Sequence, residues 1–145
     1  MTILGIDYGA KKVGLAISDE KKQMALPLKI LLNTDNNQIF DQIKEICEKN
    51  SVEKIVVGVP VSMGNGKTKT FWRQVDLQNQ QMKEVLNFVN WLKKYLDLSV
   101  ELEDERLSTK LATGLRRDLV KKGPDDAVAA MLILQSYLDR LNSQF

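Results

Sequence analysis

Three acidic positions in the sequence fall where a folded chain could gather them: Asp7, the pair Asp104–Glu105, and the pair Asp125–Asp126. Asp7 follows the apolar run Ile3, Leu4, Ile6 and precedes a glycine turn. Asp104–Glu105 closes the stretch SVELEDE, and Asp125–Asp126 opens the last helical segment. Carboxylates brought to one point repel one another unless a cation holds them. Mg²⁺ suits such a place, because it takes one or two carboxylates together with substrate phosphate oxygens. Two such ions, about 4 Å apart, activate water and stabilise the departing oxygen of a phosphodiester. Each acid also has a plain structural reading. Asp7 fits a turn residue before Gly9, and Glu101, Glu103 and Asp104 fit solvated charges on an edge strand. The helix-start pair fits a simple complement to the helix dipole, worth about 0.3–1 kcal/mol. Spacing alone leaves both readings open.

Composition removes most competing chemistries. The 145 residues contain no histidine, which excludes Ser-His-Asp triads, histidine bases and His-containing zinc sites. One cysteine, Cys47, excludes disulfide frameworks and Cys-rich metal sites, and its place in IFDQIKEICEK marks it as core packing. Any catalysis therefore rests on carboxylates, lysines, hydroxyls or a hard metal held by oxygen. A net charge of +2 permits a nucleic-acid partner without arguing for one. No basic leader precedes an apolar stretch, and no apolar run approaches the length of a bilayer span. A cytoplasmic protein without a membrane partner is expected.

The elements that must position the acids follow from periodicity. Residues 2–8 and 12–19 read as a hairpin closed at Gly9-Ala10-Lys11, and a third strand is expected after Pro27, in LKILLN. Ile39, Ile43, Ile46 and Cys47 recur at helical spacing. KIVVGVP has the β-branched character of a central parallel strand buried on both faces. SMGNGKTKT reads as a mobile glycine- and lysine-rich loop, followed by a helix striped with Met82, Val85, Leu86, Val89, Leu92 and Leu96. SVELEDE is a further strand. Ser108 can cap a helix to about Val120, Gly123-Pro124 ends it, and Ala127, Ala130, Met131, Leu134, Leu138 and Leu141 line a final one. The order β-β-β-α-β-α-β-α-α implies one α/β domain over residues 1–145, a mixed sheet with helices on its faces. If strands one, four and five are parallel neighbours, Asp7 and Glu105 lie side by side at their carboxyl edge, where such sheets build sites.

GIDYGAKKVGLAISD, IVVGVPVSMGNG, DERLST and DDAVAAMLILQSYL resemble, in order, the four signature blocks of the YqgF/RuvX family. These are Holliday-junction-resolvase-like proteins, and the resemblance runs from about Ile3 to Leu138. It implies a ribonuclease-H-like fold with a mixed five-stranded sheet and helices on both faces. It also implies a nuclease that processes the 5′ end of pre-16S ribosomal RNA, with the pre-ribosomal small subunit as a partner. By position, Asp7 matches the first-strand acid, Glu105 the middle acid of D-E-R, and Asp126 the acid before x-x-A-A. These three would be both the catalytic acids and the ligands of Mg²⁺ or Mn²⁺, with two ions expected. Lys11 and Lys12 match the basic pair after the hairpin glycine, and Arg106 the arginine after the acid. Between DERLST and Asp126 the chain is shorter than is usual in the family, in a segment that holds Arg116, Arg117, Lys121 and Lys122.

The leading expectation is a metal-dependent endonuclease on structured RNA. Lys11, Lys12, Lys67, Lys69, Arg73 and Arg106 are then candidate phosphate contacts, which position a backbone without reading sequence. The alternatives are resolution of branched DNA junctions and a non-catalytic nucleic-acid-binding or ribosome-assembly module of the same fold. Related domains of the latter kind lack the acids, and all three are present here. An actin-like or sugar-kinase ATPase opens with a similar hairpin but needs a second subdomain, for which 145 residues leave no room.

Overall fold

The computed structural model describes residues 1–34, 36–59, 80–104 and 126–143, with backbone alone for Asn36 and Asp126. The apolar, β-branched stretches form strands β1 (Thr2–Tyr8), β2 (Lys12–Ser18), β3 (Ala25–Leu32), β4 (Val52–Val59) and β5 (Ser99–Asp104). The segments of helical period form α1 (Asn36–Lys49), α2 (Gln80–Tyr95) and α3 (Asp126–Asn142). The expected loop at residues 62–70 and the expected helix from Ser108 to about Val120 lie outside the described residues.

One mixed sheet organises the molecule, in the order β3-β2-β1-β4-β5. The hairpin and the third strand pair antiparallel, whereas β1, β4 and β5 run parallel as neighbours. The expected adjacency of strands one, four and five therefore holds, and the carboxyl ends of all three lie on one edge. β3 starts two residues before Pro27 rather than after it. Proline is accepted there because β3 is an edge strand, and the register shifts beside it, between Leu15 and Ala16.

Alternation along the strands divides the core between the two faces of the sheet. Leu4, Ile6, Ile55 and Val57 pack with Val13, Leu15 and Leu31 under α1 and α2, which contribute Ile39, Phe40, Ile43, Met82, Val85 and Leu92. Ile3, Ala16, Ala25 and Val56 face the other way, under α3. Phe88 joins the α2 stripe, which the sequence reading did not include. Burial on α3 extends beyond the expected stripe, to Leu132, Ile133 and Tyr137. Cys47 is only 6% exposed, as a core residue should be. Among the described residues no helix is long and apolar enough to cross a membrane.

Candidate active site

Asp7 is half-buried at the penultimate position of β1, opposite Gly14 of β2. Its neighbours in sequence fix which way it faces. Tyr8 stacks on Phe88 of α2 with ring centroids 4.3 Å apart, so the strand end is pinned on the α1/α2 side. Asp7, two residues from Gly5 and four from Ile3, takes the α3 side. The turn beyond is tight: Gly9 N–H donates to the Lys12 carbonyl at 2.9 Å. A Cβ on Gly9 would stand 2.7 Å from that same oxygen, so the turn requires glycine. Asn33 closes the arrangement from β3. Its backbone N–H donates to the Lys11 carbonyl at 2.8 Å, and its side-chain amide donates to the Gly9 carbonyl at 2.8 Å. Lys11 and Lys12 stand exposed at this hairpin tip, on the same edge as Asp7. The role of Asn33 was not foreseen, although a polar residue directly after an apolar strand was the available signal.

α3 reaches this edge because the sheet beneath it is small. A Cβ on Gly5 would lie 2.7 Å from the Leu134 Cβ and 3.1 Å from the Ala130 carbonyl oxygen. The helix thus rests directly on the β1 backbone. Toward its other end, the Gln135 side-chain carbonyl accepts the Ala25 N–H at 2.9 Å, and the Asn142 amide donates to the Lys22 carbonyl at 3.1 Å. Both contacts lie at the edge where β1 begins. The N-terminal end of α3, at Asp126, is therefore directed toward the edge where β1 ends, beside Asp7. β5 ends on that edge too, with Asp104 in register with Val59 of β4.

Of the expected site residues, the structure thus brings Asp7, Lys11 and Lys12 to one edge, and it starts α3 at Asp126. Glu105, Lys67, Lys69, Arg73 and Arg106 lie outside the described residues, as does the side chain of Asp126. Among the described residues no three acidic, histidine or cysteine side chains gather as a metal site.

Glu103 departs from the solvated edge-strand reading. It is 1% exposed, on the face of β5 that α3 covers. Ser136 donates its hydroxyl to one carboxylate oxygen at 2.9 Å, and the Arg140 guanidinium donates to the other. Burial raises the Glu103 pKa above the ordinary carboxylate value, and the two donors oppose that rise. Next to it, Lys54 donates to the Tyr137 hydroxyl at 2.8 Å, a bond that raises the lysine pKa against the effect of burial. The α3 face therefore carries a polar seam.

The donor chemistry at the edge suits a hard cation. Carboxylate oxygen is what Asp7 offers, and the chain contains no histidine. The one thiol is buried near the end of α1, where it lines a cavity with Met1 and Val52 at the opposite edge, and burial pushes its pKa up to about 11. Oxygen ligands without nitrogen or sulfur fit Mg²⁺ or Mn²⁺ rather than zinc.

Residues 1–140 match the family description "RuvX: Holliday junction resolvase". The chain belongs to the RuvX family. A Rickettsia bellii protein is 34% identical over 146 residues, covering 97% of this chain and 87% of its own. One from Rickettsia typhi is 35% identical over 146 residues, covering 96% and 85%. Both carry the name "Putative pre-16S rRNA nuclease". Among solved structures, Thermus thermophilus RuvC in complex with a Holliday junction substrate superposes with a TM-score of 0.69 at 13% identity, covering 99% of this chain and 96% of that one. The yeast mitochondrial Holliday junction resolvase Ydc2 gives 0.51 at 13% identity, covering 98% and 79%. The fold is the ribonuclease-H-like fold of the RuvC-type resolvases, and as a RuvX-family member the protein is a nuclease.

Proposed function

We propose that the protein is a metal-dependent endonuclease that hydrolyses phosphodiester bonds in structured RNA, maturing the 5′ end of pre-16S ribosomal RNA on the cytoplasmic pre-ribosomal small subunit. Asp7, Glu105 and Asp126 would hold Mg²⁺ or Mn²⁺, as two ions. The observation that carries this reading is the close approach at Gly5, which directs the start of α3 toward the strand end that bears Asp7. Glu105 follows directly on the last residue of β5, a strand that ends at the same edge. When bound, such ions promote loss of a proton from the attacking water and neutralise charge on the departing 3′ oxygen. The protein's own part is to fix the carboxylates and to hold the phosphate backbone. Lys11 and Lys12 would meet backbone phosphates at the hairpin tip, with Lys67, Lys69, Arg73 and Arg106 as further contacts. Such contacts make binding salt-sensitive and indifferent to sequence.

A second reading, cleavage of four-way DNA junctions, is favoured by the family description and by the RuvC-like fold. One experiment separates the two. Purified protein is incubated with pre-16S rRNA or with four-way DNA junctions, in Mg²⁺, Mn²⁺ or EDTA, beside Asp7→Asn. RNA cleavage that needs the metal, leaves 5′-phosphate and 3′-hydroxyl ends and disappears in Asp7→Asn is the expected result. Metal-dependent cutting of junctions alone would move the assignment to DNA. Cleavage that persists in EDTA would remove the metal mechanism.

A further inference from the structure

Glu103 takes no part in the chemistry just proposed, yet its carboxylate is fully enclosed and held by two residues of α3. We propose that Glu103 is a positioning residue: gripped by Ser136 and Arg140, it sets the end of β5, and hence Glu105, relative to the start of α3 at Asp126. The inference rests on the reading of Asp7, Glu105 and Asp126 as the metal-holding acids.

Among the described residues β5 is the outermost strand on its side of the sheet, paired with β4. Among the described residues no second ladder borders its end. Glu103 supplies another constraint. Ser136 and Arg140 are four residues apart, on one face of α3, and each donates to a different oxygen of the same carboxylate. The grip is therefore directional in a way that an apolar contact is not. It also lies close in sequence to one of the acids. Glu105 is two residues beyond Glu103 in sequence, directly after the last residue of β5. Asp126 is ten residues from Ser136, about 15 Å along one continuous helix.

Stability is a weak reason for the arrangement. Replacing a whole buried ion pair by apolar side chains is often neutral or stabilising, and removing one partner is costly mainly where it leaves the other charge buried and unpaired. Half of Arg140 is open to solvent (54% exposed), so it would survive the loss of its partner in contact with water. What the pair adds is a fixed relation between two elements, and catalytic or metal constellations tolerate displacements of only about 0.5 Å. Partners hydrogen-bonded directly to metal ligands typically change metal affinity by about 10- to 100-fold when removed, and Glu103, acting through the strand, should lie at the low end of that range.

The test compares the full-length wild type with Glu103→Leu, Glu103→Gln and Asp7→Asn. It uses pre-16S rRNA cleavage with Mg²⁺ titrated, and the shift in melting temperature that Mg²⁺ alone produces. Glu103→Leu should melt near the wild type without metal, lose most of the Mg²⁺-induced shift, and need about 10-fold more Mg²⁺ for half-maximal cleavage. KM for RNA should be unchanged. Glu103→Gln keeps an oxygen that can accept from Ser136 or Arg140, so it should recover part of the Mg²⁺ response. Should Glu103→Leu fail to fold, Glu103→Gln decides alone: an intermediate Mg²⁺ requirement supports positioning. A wild-type Mg²⁺ requirement and melting shift in the folded variants would overturn the inference, whatever the loss of stability. If Asp7→Asn abolishes the Mg²⁺ response while both Glu103 variants keep it, positioning fails and the acid site stands. If Asp7→Asn itself keeps cleavage and the Mg²⁺ response, both readings fall.

Discussion

The two faces of the sheet are built by different rules. Under α1 and α2 the contacts are between large apolar side chains: Leu4, Ile6, Ile55 and Val57 against Ile39, Ile43, Met82 and Leu92. Aromatic rings continue that layer, with Phe88 stacked between Tyr8 and Phe40 at centroid distances of 4.3 and 5.6 Å. Under α3 the sheet sets Gly5, Ala16 and Ala25 among Ile3 and Val56, and at Gly5 the helix comes close through Leu134 and the Ala130 backbone. The same face then spends its margins on polar links: Gln135 to β3, Lys54 to Tyr137, Glu103 to Ser136 and Arg140. Large apolar layers hold a fold together but tolerate small slips. Close backbone contact with directional hydrogen bonds fixes position, and it lies on the side to which Asp7 turns.

The strongest way to break this contrast is at the acid itself. Asp7→Asn preserves shape and removes the anionic ligand, so cleavage should be abolished, measured as single-turnover cutting of pre-16S rRNA. If Asp7 serves the site, relief of carboxylate repulsion leaves the metal-free melting temperature unchanged or slightly higher. A turn residue held by hydrogen bonds would instead lose about 1–3 kcal/mol if buried. A clear loss of stability with full nuclease activity would return Asp7 to the turn reading.

Gly5→Ala sharpens the comparison from the packing side. The added Cβ meets the Leu134 Cβ and the Ala130 backbone, and backbone cannot step aside as a flexible side chain can. Overpacking of this kind destabilises by about 1–3 kcal/mol. The displacement should also lower cleavage per folded molecule, because α3 carries Asp126. Ile43→Val on α1 is the control from the other face, with a cost of about 0.5–1.5 kcal/mol from the lost methyl. Its cleavage rate per folded molecule should match the wild type. Urea unfolding together with activity corrected for folded fraction reads both effects. Equal loss of specific activity in the two variants would dissolve the distinction between the faces.

The same contrast explains what was legible in the sequence. The apolar runs Ile3–Ile6 and Ile55–Val57 announced β1 and β4, because strands buried on both faces leave continuous signals. The alternation of strands with helices in the second half implied parallel neighbours, and with them the common edge of Asp7 and β5. The choice of Glu105 and Asp126 within their acidic pairs is a proposal, since Glu105 and the Asp126 side chain lie outside the described residues. Glu103 was not legible. In SVELEDE it alternates like any solvated edge-strand acid, and the partners that bury it lie 33 and 37 residues further on. Nothing local marks such a pairing, since Ser136 and Arg140 read as ordinary polar positions of a terminal helix. Asn33 was missed for a related reason, because its amide closes a turn 24 residues away. Long-range polar links follow from the packing of α3 and β3, and only folding brings their members together.

The smallest expected effect belongs to Cys47, in the apolar layer and away from the site edge. Burial disfavours its thiolate and lifts the pKa to about 11, from 9.0 for an unperturbed thiol. The sign follows from which state binds the proton more tightly. Below pH 9 the thiol is neutral in folded and unfolded chains alike, so it adds no pH dependence. Between pH 9 and 11 the unfolded chain ionises while the folded one stays neutral, and stability falls as pH rises. At pH 10 the loss from this residue is about 1 kcal/mol. Cys47→Ala should therefore be less stable than the wild type at pH 7, through its lost packing, and the gap should narrow by about 1 kcal/mol by pH 10. Urea unfolding of both proteins at the two pH values measures it. In the same layer, the thiol should resist a thiol-reactive reagent at pH 8 until urea unfolds the chain. Rapid labelling of the native protein, or a gap that stays constant with pH, would show that α1 opens readily over the sheet. The α1/α2 face would then be the looser of the two in its dynamics as well as in its packing.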